Sequence, residues 1–286
     1  MKKIIALIGL LAIFLTGCTG QQKSAQIAAT TLPVYEFTAR LCEGTGIAVT
    51  RLVTESVSCL HDYALNVKQV RAAEAAQIIV VSGAGLEDFM EDLLDGKTVI
   101  DSSEGIELLH CEHTHEHEHE HEEDAHIWLS PAAAKIMVQN ICAGLTAQFP
   151  QHSGTFAANL ELLLADLDAL QAYGEAQLAD LSCREIITFH DGFGYLADSF
   201  GLTILEAVEE ESGSEASAAE LKELITLVQG NNLPAIFTET NGSTSAADVI
   251  SAETGVNIYS LDMAMSGDSY FDAMYHNIDT LKEALG

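Results

Sequence analysis

From Ile27 onward, short β-branched and apolar runs alternate with longer stretches of helical composition. Ile27 to Thr31 and Ile47 to Val53 predict strands, separated by a helix that Pro33 can open and that continues to about Leu41. Val67 to Ala76 predicts a helix and Gln77 to Val81 a strand. The turn Gly83-Ala84-Gly85 should lead into a helix from about Glu87 to Leu94, followed by a strand over Thr98 to Ile100. His110 to Asp124 holds no large apolar side chain and cannot offset the entropy of its own ordering, so it predicts a loop. Structure should resume at Ile127-Trp128-Leu129, with Ser130 as N-cap and Pro131 as first residue of a helix that Pro150 stops.

The longest helical pattern is His152 to Leu181, where Leu160, Leu163, Leu164, Leu167, Leu170 and Leu178 fall on one stripe. Unbroken, it would span about 45 Å at 1.5 Å per residue, with Gly174 as its weak point. The alternation then repeats. Strands are expected at Glu185 to Phe189, Leu202 to Val208, Ala235 to Thr238 and Val256 to Ser260. Helices are expected at Gly192 to Phe200, Ala216 to Val228, Ser243 to Thr254 and Tyr270 to Leu285. The fold class is α/β: two lobes, each a mostly parallel sheet flanked by helices, bridged by one long helix. The boundaries are 27–150, with the His-rich loop at 110–124, then 151–182 for the linking helix and 183–286 for the second lobe.

Residues 1–17 stand apart. Lys2 and Lys3 precede an apolar stretch, Ile4 to Leu15, that is short for a membrane span. Leu15-Thr16-Gly17-Cys18 then reads as a lipoprotein cleavage box, with 18–26 as a polar tether. This predicts an extracytoplasmic protein, lipid-anchored to a bacterial cell membrane through Cys18. Lipidation would take one of six cysteines and leave Cys42, Cys59, Cys111, Cys142 and Cys183, whose spacing outlines no disulfide framework. Hydrophobic residues make up 48% of the chain, enough for packed cores. The formal net charge of −31 repels nucleic acid and attracts cations.

Three separated histidines occupy one kind of position. His61 follows a strand after a short loop, His190 follows a strand directly, and His126 lies at the exit of the polar loop. Asp262 follows the last strand in the same way. In open α/β sheets ligands bind beyond the carboxyl ends of strands, so two facing lobes could gather these groups in one cleft. Three imidazoles and a carboxylate suit tetrahedral Zn²⁺, and they also accept Mn²⁺ or Fe²⁺. The loop adds His113, His115, His117, His119 and His121 among glutamates, extended by Glu122, Glu123 and Asp124. Imidazoles of reference pKa about 6.5 are largely neutral above pH 7, so this loop should bind several ions weakly and release them toward pH 6. His115-Glu116-His117-Glu118-His119 formally matches a zinc-protease motif, but that motif needs a helix with an apolar face, which this loop lacks. There is no phosphate-binding or nucleophile-elbow motif, and the chain is expected not to be an enzyme.

Several ordered motifs carry a family resemblance from about Ile27 to the C-terminus. They are His61-Asp62-Tyr63, Gly83-Ala84-Gly85-Leu86-Glu87, and Ala125-His126-Ile127-Trp128-Leu129-Ser130-Pro131. Further along come Phe189-His190-Asp191-Gly192-Phe193-Gly194-Tyr195-Leu196, Phe237-Thr238-Glu239 and Leu261-Asp262. The chain resembles the metal-specific solute-binding lipoproteins of bacterial ABC importers, cluster A-I, and especially their zinc branch. The resemblance implies a metal between the lobes, ligated at His61, His126, His190 and Asp262. A histidine at the third ligand position goes with zinc in that family, and a carboxylate there with manganese. It further implies an ABC permease with a separate ATPase subunit as partners, and a receptor acting as a monomer. The chain departs from the family at Ser58-Cys59-Leu60 and Ala64-Leu65-Asn66, where prolines or a glutamate are usual. These departures leave the fourth ligand open between Asp262, which the resemblance implies, and Glu239, Cys59 or water; His152 and His276 are assigned to the surface. The competing functions are a manganese receptor, a surface adhesin and a secreted zinc hydrolase.

Overall fold

The computed structural model describes residues 27–55, 60, 63–110, 123–208 and 216–286. The leader and Cys18, the segment carrying His61 and Cys59, the loop residues His113 to His121 with Cys111, and the acidic segment 209–215 lie outside the described residues.

Two four-stranded sheets form, and every strand pair in each is parallel. The first contains β1 (Ile27–Ala29), β2 (Val49–Arg51), β3 (Ile78–Val81) and β4 (Thr98–Asp101) in the order β2-β1-β3-β4. The second contains β5 (Glu185–Thr188), β6 (Thr203–Ala207), β7 (Ala235–Glu239) and β8 (Asn257–Leu261) in the order β6-β5-β7-β8. The two sheets thus share one topology. The strand order reverses between β1 and β3 in the first sheet and between β5 and β7 in the second, which are the positions where such sheets open a crevice.

Both faces of each sheet are covered, as all-parallel sheets require. Alternate residues within a strand join different cores. Ile27, Ala29, Ile78 and Val80 face one core, whereas Ala28, Ile79 and Val81 face another, shared with Ala73 and Met90. In the second sheet Ile186, Ala235 and Phe237 point one way, and Ile187 and Ile236 point the other, toward Leu224, Val228 and Ile250. The core on the common side is continuous through both lobes and includes Ile27, Trp128, Leu167, Phe193 and Leu285.

Nine helices complete the described elements: α1 (Leu32–Leu41), α2 (Val67–Ala75), α3 (Glu91–Leu94), α4 (Pro131–Gln148), α5 (Ser153–Gln177), α6 (Gly194–Phe200), α7 (Ala218–Asn231), α8 (Ser245–Thr254) and α9 (Tyr270–Leu285). Their starts follow from local chemistry. Asn66 and Gln69 form a reciprocal capping box on α2, as Ser217 and Glu220 do on α7. The Ser130 hydroxyl accepts from Ala133 N–H at 3.3 Å ahead of Pro131.

Three local expectations change. The segment after Gly85 is a 3-10 turn, Asp88–Met90, and only one helical turn of α3. Glu87 folds back to accept Ser82 N–H at 2.7 Å and Gly83 N–H at 3.0 Å, which prevents a helix from starting at that residue. The long helix α5 runs 25 residues, about 37 Å at 1.5 Å per residue, after a 3-10 turn at Pro150–His152. Gly174 does not weaken it. A Cβ there would stand 2.2 Å from Phe200 Cε1, so the glycine lets the α6 aromatic ring pack directly on α5. α5 contacts α1 and α4 of the first lobe and α9 of the second. His152 is half-buried and meets the Phe156 ring edge-on at 6.1 Å, while His276 is exposed on α9.

Candidate metal centre

His190 leaves the end of β5, and Glu239 is the last residue of β7, the strand beside it. The two therefore flank the point where strand order reverses in the second sheet. His126 arrives from the opposite side, one residue before the 3-10 turn Ile127–Leu129 that leads into α4. Their rings meet edge to face, with centroids 5.3 Å apart. The two Nε2 atoms lie 3.4 Å apart. Two nitrogens that each sit roughly 2.0–2.1 Å from one tetrahedral zinc ion are about 3.3–3.4 Å apart, so this pair has the spacing of two ligands to a single ion.

Each imidazole has a carboxylate behind it. Asp124 Oδ1 accepts the His126 Nδ1–H at 2.8 Å and the His126 backbone N–H at 2.8 Å. A carboxylate acceptor at Nδ1 places the ring proton there and leaves the Nε2 lone pair facing His190. On the other side, Glu239 Oε2 lies 3.8 Å from His190 Nδ1. His126 and Glu239 are almost fully buried, and His190 keeps partial access to solvent.

The electrostatics of this cluster suit a cation. Burial, and secondarily the neighbouring Asp262 carboxylate, push the Glu239 carboxyl up to about 7 from an ordinary 4.5. An ionised Glu239 is thus unfavourable beside Asp262 until positive charge enters. Asp262 follows β8, as expected, and its Oδ1 accepts Ala264 N–H at 2.7 Å. Among the described residues, no group of three or more His, Cys, Asp or Glu side chains is placed to hold a metal ion.

Small size is required at one wall of the site. A Cβ on Gly192 would lie 2.7 Å from His190 Cδ2, 2.7 Å from Met263 Cε and 2.9 Å from His126 Cε1. Gly192 therefore allows the two histidines and Met263 to converge.

The structure brings His126, His190 and Glu239 together, with Asp262 close enough to act on Glu239. The base of the polar loop adjoins them: His110 and Glu123 pair as an antiparallel bridge, and Asp124 N–H donates to Leu109 O at 2.8 Å. Leu109 N–H in turn donates to the Tyr195 hydroxyl of α6 at 2.9 Å, which ties the loop base to the second lobe. By sequence alone Asp124 stands as the end of an acidic run. Its position two residues before a histidine, beyond the His/Glu alternation, is the signal that marks it out. Trp128 donates Nε1–H to Met263 O at 2.7 Å, a contact that nothing near it in the sequence announces.

Residues 27–284 match the family described as zinc-uptake complex component A, periplasmic. A curated relative, the zinc-binding lipoprotein AdcA of Streptococcus pneumoniae, is 32% identical over 99% of this chain, which spans 61% of that protein's length. The high-affinity zinc uptake system protein ZnuA of Bacillus subtilis is 31% identical, with 91% of this chain and 87% of that protein aligned. Among solved structures, a crystal structure of ZnuA superposes with a TM-score of 0.80 at 28% identity, covering 92% of this chain and all of the other.

Proposed function

Because the chain belongs to the family of periplasmic A components of zinc-uptake complexes, we propose that it is an extracytoplasmic receptor that binds Zn²⁺ and delivers it to an ABC permease driven by a separate ATPase subunit. Zinc is cargo here, and the role is binding with no reaction catalysed. The observation that carries the proposal is the His126–His190 pair, with Nε2 atoms 3.4 Å apart and a carboxylate facing each Nδ1. His126 and His190 supply two ligands and His61 a third. Asp262 is the fourth, because Glu239 faces the Nδ1 side of His190 and serves better to orient that ring. An imidazole at His190, where a carboxylate would suit manganese, favours zinc.

Further parts of the reading concern segments outside the described residues. Lipidation at Cys18 tethers a single chain to the membrane. His113, His115, His117, His119 and His121 collect zinc weakly and raise its concentration beside the tight site. Calorimetric titration with zinc, alone and in competition with manganese, tests the whole assignment. The triple variant H61A/H126A/H190A should lose one tight zinc, and deletion of Thr114 to Glu123 should remove only weak sites. Retention of the tight zinc by the triple variant would overturn the ligand set.

A further inference from the structure

Four backbone carbonyls of the loop after β8 are held by side chains from other elements. Asn277 of α9 donates Nδ2–H to Asp262 O at 2.7 Å, and its Oδ1 accepts the Asp262 N–H at 2.7 Å. Trp128 takes Met263 O. Arg51, the last residue of β2 in the first sheet, takes the next two: Nη2–H donates to Met265 O at 2.9 Å and Nη1–H to Gly267 O at 2.8 Å. Its Nε–H donates to Val53 O at 2.6 Å, which fixes the guanidinium plane from its own side of the seam. Four carbonyls of one short loop are thus capped by three side chains, and two of those side chains belong to the other lobe.

The loop needs that restraint. Ala264 sits at φ +54°, a left-handed conformation that a residue with a Cβ adopts only where its surroundings impose it. Gly267 is also left-handed, at φ +91°. Within the same turn Ala264 N–H donates to Asp262 Oδ1 at 2.7 Å, which ties the Asp262 carboxylate to the backbone of this loop. Met263, which closes on Gly192 beside both histidines, belongs to the same loop. An arginine suits this task better than a lysine, because its planar fork can hold two carbonyls at once.

We infer that Arg51 is a positioning residue for the metal site: reaching across the lobe seam, it fixes the loop that orients the Asp262 carboxylate and thereby slows the release of the ion. The inference rests on the zinc-receptor reading and adds a residue from an element that carries no ligand. Removing the guanidinium should let the 263–267 backbone relax toward ordinary dihedrals and turn Asp262 away from the cation.

The test compares full-length wild type with R51A, R51K and R184A. Three readouts are needed: stopped-flow transfer of zinc to a chelator, the visible spectrum of the Co²⁺-loaded protein, and thermal unfolding. Arg184 is the control because it also caps carbonyls, those of Leu178, Ala179 and Phe200, but away from the histidines. R51A should speed zinc release about 10- to 100-fold, the range seen when groups orienting metal ligands are lost, and should alter the cobalt ligand-field bands. R51K should fall between R51A and wild type. R184A should lower the melting temperature and leave both the spectrum and the release rate unchanged. A wild-type spectrum and release rate in R51A would overturn the inference, whatever its melting temperature. If R51A does not fold, wild-type behaviour in R51K overturns it equally. Should the wild type take up no tight zinc, or should H126A keep it, the zinc-receptor reading itself fails and the role of Arg51 falls with it.

Discussion

Asp124 holds His126 twice with one atom, its Oδ1 accepting both the ring Nδ1–H and the backbone N–H of the histidine at 2.8 Å. Both bonds are buried, so they fix the ring's tautomer and its direction together. Replacing Asp124 by alanine should weaken zinc binding about 10- to 100-fold, with D124N intermediate because an amide oxygen can still accept. Competition against a chromogenic chelator measures this. Unchanged affinity in D124A would show that His126 needs no support.

Gly192 supplies the second prediction. A methyl group at this position would press on His190, Met263 and His126 at once, all three closer than 3.0 Å. G192A should lose at least tenfold in zinc affinity, while overpacking lowers stability by about 1–3 kcal/mol. Calorimetry paired with chemical unfolding separates the two effects. Wild-type affinity in G192A would mean that the histidines move apart freely.

The raised Glu239 carboxyl makes zinc binding proton-linked. At pH 6 the empty site holds a proton on Glu239 that the ion must displace, and above about 7 it does not. Affinity should therefore climb from pH 6 to 7 and flatten above, as far as this group contributes. Titrations at pH 6.5 in buffers of different ionisation enthalpy should show proton release that E239Q reduces. Equal release in both proteins would remove Glu239 from the linkage.

Glu87 gives a separate pH effect, remote from the histidines. It is wholly buried, and desolvation raises it to about 7 against hydrogen bonds from Thr30, Gly83 and Ser82 that pull it down. The native state thus binds this proton more tightly than the unfolded chain does. The stability it brings is full below about pH 4.5 and is lost as pH rises through about 7, a change of order 3 kcal/mol at 1.36 kcal/mol per pH unit. Urea unfolding of metal-free protein at pH 5 and pH 8 should show wild type losing stability relative to E87Q. Parallel pH profiles would assign the slope to other groups.

Much of this was legible from residue order. The continuous β-branched run Ile78–Val81 and the apolar stripe of α5 produced the elements they predict, because a strand covered on both faces reads as an unbroken apolar run and a helix packed on one side as a stripe. His126 and His190 were recognisable because each lies beside an element boundary where sheets of this class place ligands. What was missed depends on contacts distant in sequence. Nothing near Arg51 announces carbonyl acceptors more than 200 residues away at Met265 and Gly267. Gly174 reads as a weak point of the long helix because its reason, the Phe200 ring, arrives from another helix. The helix expected from Glu87 failed because a carboxylate with good helical propensity found better donors behind it, at Ser82 and Gly83.

The apolar core common to both sheets has a mechanical consequence. A jaw-like opening would have to tear residues from Ile27 to Leu285 away from one another and wet them. On the proposed reading, entry and exit of the ion would fall to the turns around this core rather than to a separation of the two sheets. On that same reading, a partner that distinguishes a loaded receptor from an empty one would sense the turns that carry the site more than the angle between the halves.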